Sequence, residues 1–282
     1  MNGEIAQIAA LTCHGNAFLS GKPEVRFFPG NSTCQYCERV IFVALKKSVF
    51  GIVRKTEVAD TPDAWLALLK SRGALGIRLG RSSHDEPGIP DRMSAGFVGG
   101  GGTWMMEVLL PRQTSEFWVP RWEVGNRNAP DRKIWRVTYG CVSEAKTSPL
   151  TAPDLTRATR ELAEGLKDIR EFSVRQGTDG FTNWFDEALN TIAAKGSNQH
   201  IYHPDLAPGG FLSDEAAVLL DACQQAWVFG GMGSWNDLLF DGEDQRAYER
   251  VSEGLFEAVN RAIQEAATSS LKGTWTTGSS AP

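Results

Sequence analysis

Apolar residues recur along this chain with two different periods, and the change falls near Ser148-Pro149. Before it, short runs rich in Val, Phe and Trp, punctuated by glycine, predict strands. After it, apolar residues at three- and four-residue spacing predict amphipathic helices. In the first part, residues 5–11 and 25–28 are expected as strands on either side of the polar turn Gly21-Lys22-Pro23. Residues 40–45 and 50–58, bracketing Lys46-Lys47-Ser48, are expected as a hairpin. Thr61-Pro62 opens a short helix. Thr61 can cap its free amides, and Pro62 stands where a missing N–H is harmless. Trp65, Leu68 and Leu69 form its apolar stripe, and Gly73 can close it. Residues 76–79 return as a strand, 81–92 read as a polar loop broken by Pro87 and Pro90, and glycine-rich 96–102 leads into a strand at 104–110. Residues 117–124 and 133–142 predict the clearest hairpin, with Trp135, Val137, Tyr139 and Cys141 alternating onto one face.

The second part opens at Thr151 and Asp154, which have capping-box spacing around Pro153. Leu155, Ala158, Leu162, Leu166, Ile169 and Phe172 then line one helical face. Phe181, Trp184, Phe185, Ala188, Leu189 and Ile192 define a second helix ended by Gly196. Ser213 caps a third, with Ala216, Leu219, Leu220, Cys223 and Trp227 inward, and residues 243–267 form the last. The class expected is α+β: a mixed or antiparallel β-rich region over 1–147 with one short helix, then an α-helical region over 148–270 packed against it. Residues 271–282 are expected to be a mobile tail.

Charge follows the same division. Residues 1–149 hold 19 Lys and Arg against 14 Asp and Glu, a net +5, while residues 150–282 hold 10 against 20, a net −10. Apolar runs reach only six residues, as at 40–45, too short to cross a bilayer, and Met1-Asn2-Gly3-Glu4 lacks the cationic start of a signal peptide. Five cysteines, at 13, 34, 37, 141 and 223, are too sparse for a disulfide framework, so a reducing cytoplasm is expected.

The only CxxC, Cys34-Gln35-Tyr36-Cys37, comes after Val25-Arg26-Phe27-Phe28 and precedes Val40. It resembles the strand–CxYC–helix start of glutaredoxins. That resemblance implies a thiolate held at a helix N-terminus for attack on disulfides. Gln35 stands where those proteins favour Pro, Ile89-Pro90-Asp91 is the nearest substitute for their cis-proline segment, and the residues after Cys37 read as a hairpin. Zinc is the other chemistry open to the pair: Cys13, Cys34 and Cys37 supply three ligands, with His14, His200 and His203 as further donors. Buried structural thiols are the reading preferred here, with no cofactor.

Two glycine-rich segments stand out. Residues 97–104, containing Gly100, Gly101 and Trp104, could form an anion-binding nest, but they lack the Lys-Ser/Thr ending of a phosphate loop. A loop or bulge that lets strands approach closely is the simpler reading. Residues 227–237 carry Trp235, Asn236 and Asp237 just beyond paired glycines, in a turn that seats Trp235 in the core or on a partner. In the basic half, Trp118, Arg121 and Trp122 interleave aromatic and cationic chemistry of the kind that holds single-stranded nucleic acid, although the overall charge is acidic. No nucleophile–base pair, metal set or phosphate loop can be assembled from these pieces. The function expected is a non-enzymatic interaction component bound to another protein. The alternatives are an enzyme or an anion- or nucleotide-binding protein with its site between the halves, and single-stranded nucleic-acid binding on the basic half. No membrane role is expected.

Overall fold

A computed structural model describes residues 1–22, 26–47, 53–84, 89–149, 151–194 and 201–273. It has an α+β architecture, with a six-stranded mixed sheet in the N-terminal half and helices in the C-terminal half. Strands β1 (Cys37–Lys47), β2 (Val53–Ala59), β3 (Gly76–Ser82), β4 (Thr103–Leu110), β5 (Thr114–Val124) and β6 (Trp135–Lys146) lie in the order β2-β1-β6-β5-β4-β3. Both expected hairpins form, β1 with β2 and β5 with β6. A parallel pairing of β1 with β6 joins them, the one such pairing among the described residues. Val25 and residues 48–52, which fall within or beside the expected strands, lie outside the described residues.

The first element departs from expectation. Residues 5–11 belong to helix α1 (Gly3–Leu19), and Arg26–Phe28 are irregular rather than a strand. Asn2 caps α1, its side chain accepting from Ile5 N at 2.9 Å, and no proline interrupts the turns beyond it. All thirteen residues from Ile5 to Ala17 are buried. A helix enclosed on every side shows no polar stripe, so its apolar run imitates a buried strand. Its polar side chains are bonded in the interior: Gln7 Nε2 donates to Thr33 O, Thr12 to Ile8 O, and Asn16 Nδ2 to Ile77 O.

Helix α2 (Pro62–Ser71) begins as expected, with Thr61 Oγ1 accepting from Ala64 N. Its Trp65 stacks on Phe42 of β1 at 4.3 Å, Phe42 stacks in turn on Tyr139 of β6 at 5.1 Å, and Trp118 of β5 meets Phe42 edge-on. A four-residue helix, α3 (Asp91–Ser94), interrupts the polar loop before β4.

The C-terminal helices are α4 (Leu155–Arg175), α5 (Asp179–Ala194), α6 (Asp214–Ala226) and α7 (Gly242–Thr268). Asp154, not Thr151, caps α4, accepting from Arg157 N at 2.9 Å. Ser213 caps α6 as expected. Gly196 lies outside the described residues, as does the tail from 274 onward; of the expected tail, Leu271 is buried.

The two halves share one hydrophobic core, in which α1 packs against β3, β4 and α7. At the sheet edge, alternate outward amides of β3 are taken by helix side chains. Ile77 N donates to Asn16 Oδ1 at 2.7 Å, Leu79 N to Thr268 Oγ1 at 3.1 Å, and Arg81 N to Gln264 Oε1 at 3.1 Å. An edge strand left bare would invite foreign pairing; here α1 and α7 close it.

Candidate functional site

The two glycine-rich segments meet. A Cβ built on Gly96 would collide with the Gly230 carbonyl, and one on Gly100 with the Ser94 carbonyl, so backbone contact requires glycine at both. Asn236 locks the meeting point, its Nδ2 donating to Arg92 O at 2.8 Å while its Oδ1 accepts from Arg92 Nη1 at 3.3 Å. Arg92 is buried, with its guanidinium 5.3 Å from the Tyr248 ring centre. Asp237 accepts from Gly233 N and closes the second turn.

Three amides of the expected anion nest are bonded from within. Gly99 N donates to Glu4 Oε2, Gly100 N to Phe97 O and Gly101 N to Ser94 Oγ. Burial raises the Glu4 carboxyl above its ordinary pKa, opposed by the Gly99 N–H. Trp104, at the end of this loop, is buried in the core.

Trp235 is fully buried, ringed edge-on by Phe172, Phe181 and Phe185, and its Nε1 donates to Ser252 Oγ at 2.7 Å. Trp227 belongs to a different cluster, with Phe229 and Phe256. What the junction exposes is apolar: Phe97 at 68 %, Val98 at 50 % and Met232 at 101 %. The first two come directly after Gly96 and the third after Gly231, so both turns present bulky side chains beside their contact.

The cysteines are placed differently. Cys34 sits in a short 3-10 turn, Ser32–Cys34, and Cys37 opens strand β1, so no helix N-terminus faces the pair as the glutaredoxin resemblance implies. Both sulfurs accept from Gln7 Nε2, at 3.7 and 3.5 Å, while Gln7 Oε1 accepts from Tyr139 Oη. Burial raises both thiols, Cys37 to about 11 and Cys34 further, which disfavours the thiolate that redox attack needs. Cys13 points elsewhere, towards Ala267 O. Among the described residues no group of three His, Cys, Asp or Glu gathers to hold a metal ion; His200 lies outside them.

Beside the CxxC lies a cluster with no local signature. Asp205 accepts from Ser32 N at 2.8 Å and from Ser32 Oγ, and its carbonyl accepts from Asn31 Nδ2 at 2.8 Å and His14 Nε2 at 3.0 Å. Ser32 Oγ also lies 3.0 Å from His203 Nδ1. Gln224 holds the same segment by its backbone, accepting from His203 N and donating to His203 O. Desolvation lowers His203 to about 4, aided by the nearby N-terminal ammonium. Sequence spacing marks His203 only as a zinc donor. Its side-chain partner Ser32 is 171 residues away in sequence, so only the fold brings the two together.

On the basic half, Trp118 is buried, and half-buried Trp122 and Trp135 pack on each other at 5.9 Å. Arg121 is exposed and paired with Glu123 at 3.1 Å. These tryptophans do not form an open stacking platform. Among the described residues no helix is long and apolar enough to cross a membrane. Comparison with protein-family models, curated proteins and solved structures finds no match.

Proposed function

We propose that this chain is a non-enzymatic interaction component that docks a protein partner through the rim formed by Phe97, Val98 and Met232. The observation that carries the reading is their exposure on two turns whose backbones touch and are pinned by Asn236 and Arg92. Apolar side chains on a fixed backbone bind with little ordering cost, and a few such anchors carry most of an interface's energy. The amides of Gly99, Gly100 and Gly101 are already bonded within the protein, which counts against the anion- or nucleotide-binding alternative there. The packed tryptophans give single-stranded nucleic acid little to stack on. All five cysteines are free and four are buried, in keeping with an intracellular, reducing setting.

The test is a photo-crosslinking amino acid placed at Phe97 in cells of the source organism, with Leu75, exposed elsewhere, as the control position. A discrete protein adduct at position 97, absent at 75 and lost with Met232→Asp, is expected. The same adducts at both positions, or none at 97, would refute the rim as a docking site. Phe97→Ser and Met232→Asp should leave the melting temperature nearly unchanged, because exposed substitutions shift stability by only about 0.5 kcal/mol.

A further inference from the structure

The two edges of the sheet differ in cover. At β3, outward amides are taken by side chains of α1 and α7. At β2, the opposite edge, the backbone bonds only to β1 among the described residues, and Arg54, Lys55, Thr56 and Glu57 are all exposed. An edge strand with free N–H and C=O groups accepts another extended segment unless its side chains forbid it. What β2 can accept is therefore decided by its charges.

The strand pairs regularly from Val53 to Glu57 against Lys47 to Val43. A bulge follows, because Glu57 lies opposite Val43 and Ala59 opposite Phe42, which leaves Val58 unmatched. Within the regular run, Lys55 and Glu57 lie opposite Leu45 and Val43, on the face away from α2. Thr56 lies opposite Ala44, on the face that Phe42 shares with Trp65 of α2. Neither Lys55 nor Glu57 has an ion-pair partner among the described residues.

Like charges along an edge repel a second copy, whereas opposite charges two residues apart can match it. Two identical strands paired antiparallel about a two-fold axis set one residue against its own twin, and residues equally far to either side against each other. With Arg54, Lys55 or Glu57 at the axis, like charges would meet. With Thr56 there, Thr56 faces Thr56, and Lys55 of each copy faces Glu57 of the other. Threonine pairs and opposite-charge pairs are favourable cross-strand neighbours. Of the four residues Arg54–Glu57, only Thr56 gives a self-complementary register.

We propose that β2 is a self-association edge, pairing antiparallel with β2 of a second copy of this chain about an axis at Thr56 and joining the two sheets into one. Pairing over Arg54–Val58 supplies about four to six backbone hydrogen bonds. So short a contact falls below the roughly 1,200 Å² of standard interfaces, which makes the dimer weak and concentration-dependent.

The experiment is sedimentation velocity of the whole chain at low salt, over a concentration series reaching the high-micromolar range. The unmodified chain should shift from monomer towards dimer. Lys55→Glu and Glu57→Lys each set like charges opposite one another at both sites and should weaken association about ten-fold. The variant carrying both changes, and an equimolar mixture of the two single variants, restore opposite charges at both sites and should dimerise like the unmodified chain. Both positions are exposed, so the melting temperature should hardly move. Thr56→Cys reads the register: opposite Cα atoms lie about 4.5–5.5 Å apart, within disulfide reach. Mild oxidation should give a covalent dimer from Thr56→Cys, and none from Arg54→Cys or the unmodified chain. A chain that stays monomeric throughout, single charge variants that associate as well as the unmodified chain, a double variant that stays monomeric, or crosslinking at 54 as readily as at 56 would each overturn the assignment. Met232→Asp should leave self-association unaltered, so the edge and the rim stand or fall separately.

Discussion

Replacing Trp235 tests the packing logic at its most concentrated point. The ring is fully buried, four aromatic side chains contact it, and Tyr248 Oη donates to its backbone carbonyl at 2.7 Å. Trp235→Ala removes that contact surface at a cost of about 3–5 kcal/mol. It also strips Ser252, itself fully buried, of the donor to its hydroxyl, worth about 1 kcal/mol more. A loss of about 5 kcal/mol is comparable with the whole stability of a modest domain and should lower the melting temperature by roughly 10 °C or more. Trp235→Phe keeps most ring contacts and loses the N–H, so it should cost only about 1–2 kcal/mol. Urea unfolding followed by near-ultraviolet circular dichroism gives both numbers, and an unchanged slope shows that the two variants compare the same transition. If Trp235→Ala costs less than about 1 kcal/mol, or Phe is as harmful as Ala, the residue is not the keystone of its cluster.

Three further outcomes are expected from the geometry. Gly96→Ala puts a Cβ against the Gly230 backbone, where no side chain can yield, and should cost about 1–3 kcal/mol by forcing the turns apart; Gly231→Ala, which meets nothing, should be nearly neutral in the same melt. His203 is held near 4 when folded and returns to about 6.5 when unfolded, so stability should fall as pH drops from about 6.5 towards 4; His14, also lowered by burial, acts in the same sense, and His203→Gln should flatten part of that slope in a pH series of urea midpoints. Cys37, raised to about 11 by burial, should resist thiol reagents until the protein unfolds, and its contribution to stability, present below about 8.5, should be lost as pH rises through about 11, an alkaline loss that Cys37→Ala reduces.

The parts of the fold legible in the sequence are those with one face wet. Helices α4 to α7 alternate buried and solvated positions, so Leu162, Leu166 and Ile169 declare an inner stripe. The β5–β6 hairpin declares itself through alternation and its polar turn. Helix α1 lacks that contrast because sheet and helices enclose it. The usable signal lies at its edge, in Asn2 as a cap and in an unbroken run longer than a buried strand needs. The parallel β1–β6 pairing leaves no local mark, since the intervening chain builds the rest of the sheet first. For the candidate sites, glycine spacing flags both turns but not their contact, and Trp104, Trp118 and Trp235 prove to be core. Ser32, His203 and Asp205 are silent because a hydrogen-bond chain is a property of the fold, not of spacing.

The opposite charges of the halves suggest electrostatic docking, and two ion pairs do cross among the described residues, Arg81 with Glu257 at 3.1 Å and Arg92 with Glu253 at 3.5 Å. Yet the shared core and the closure of the β3 edge are of another kind. Thr268 and Gln264 clamp the β3 edge with neutral hydrogen bonds, Asn16 Nδ2 donates to Ser270 Oγ at 2.7 Å, and α1 reaches α7 through buried apolar side chains. Neutral bonds and apolar burial are little affected by salt, whereas docking by surface charge weakens within a Debye length of about 10 Å at 0.1 M. Residues 1–149 made alone would lose the cover over α1 and the partners of Leu79 N and Arg81 N, exposing both an apolar face and an open strand edge. That fragment should aggregate, and co-expression with residues 150–282 should return a soluble complex that persists at high salt. Dissociation of the complex by salt alone would show that charge, not the shared core, joins the halves. A soluble, folded, monomeric fragment would show that α1 and the β3 edge need no cover from α7.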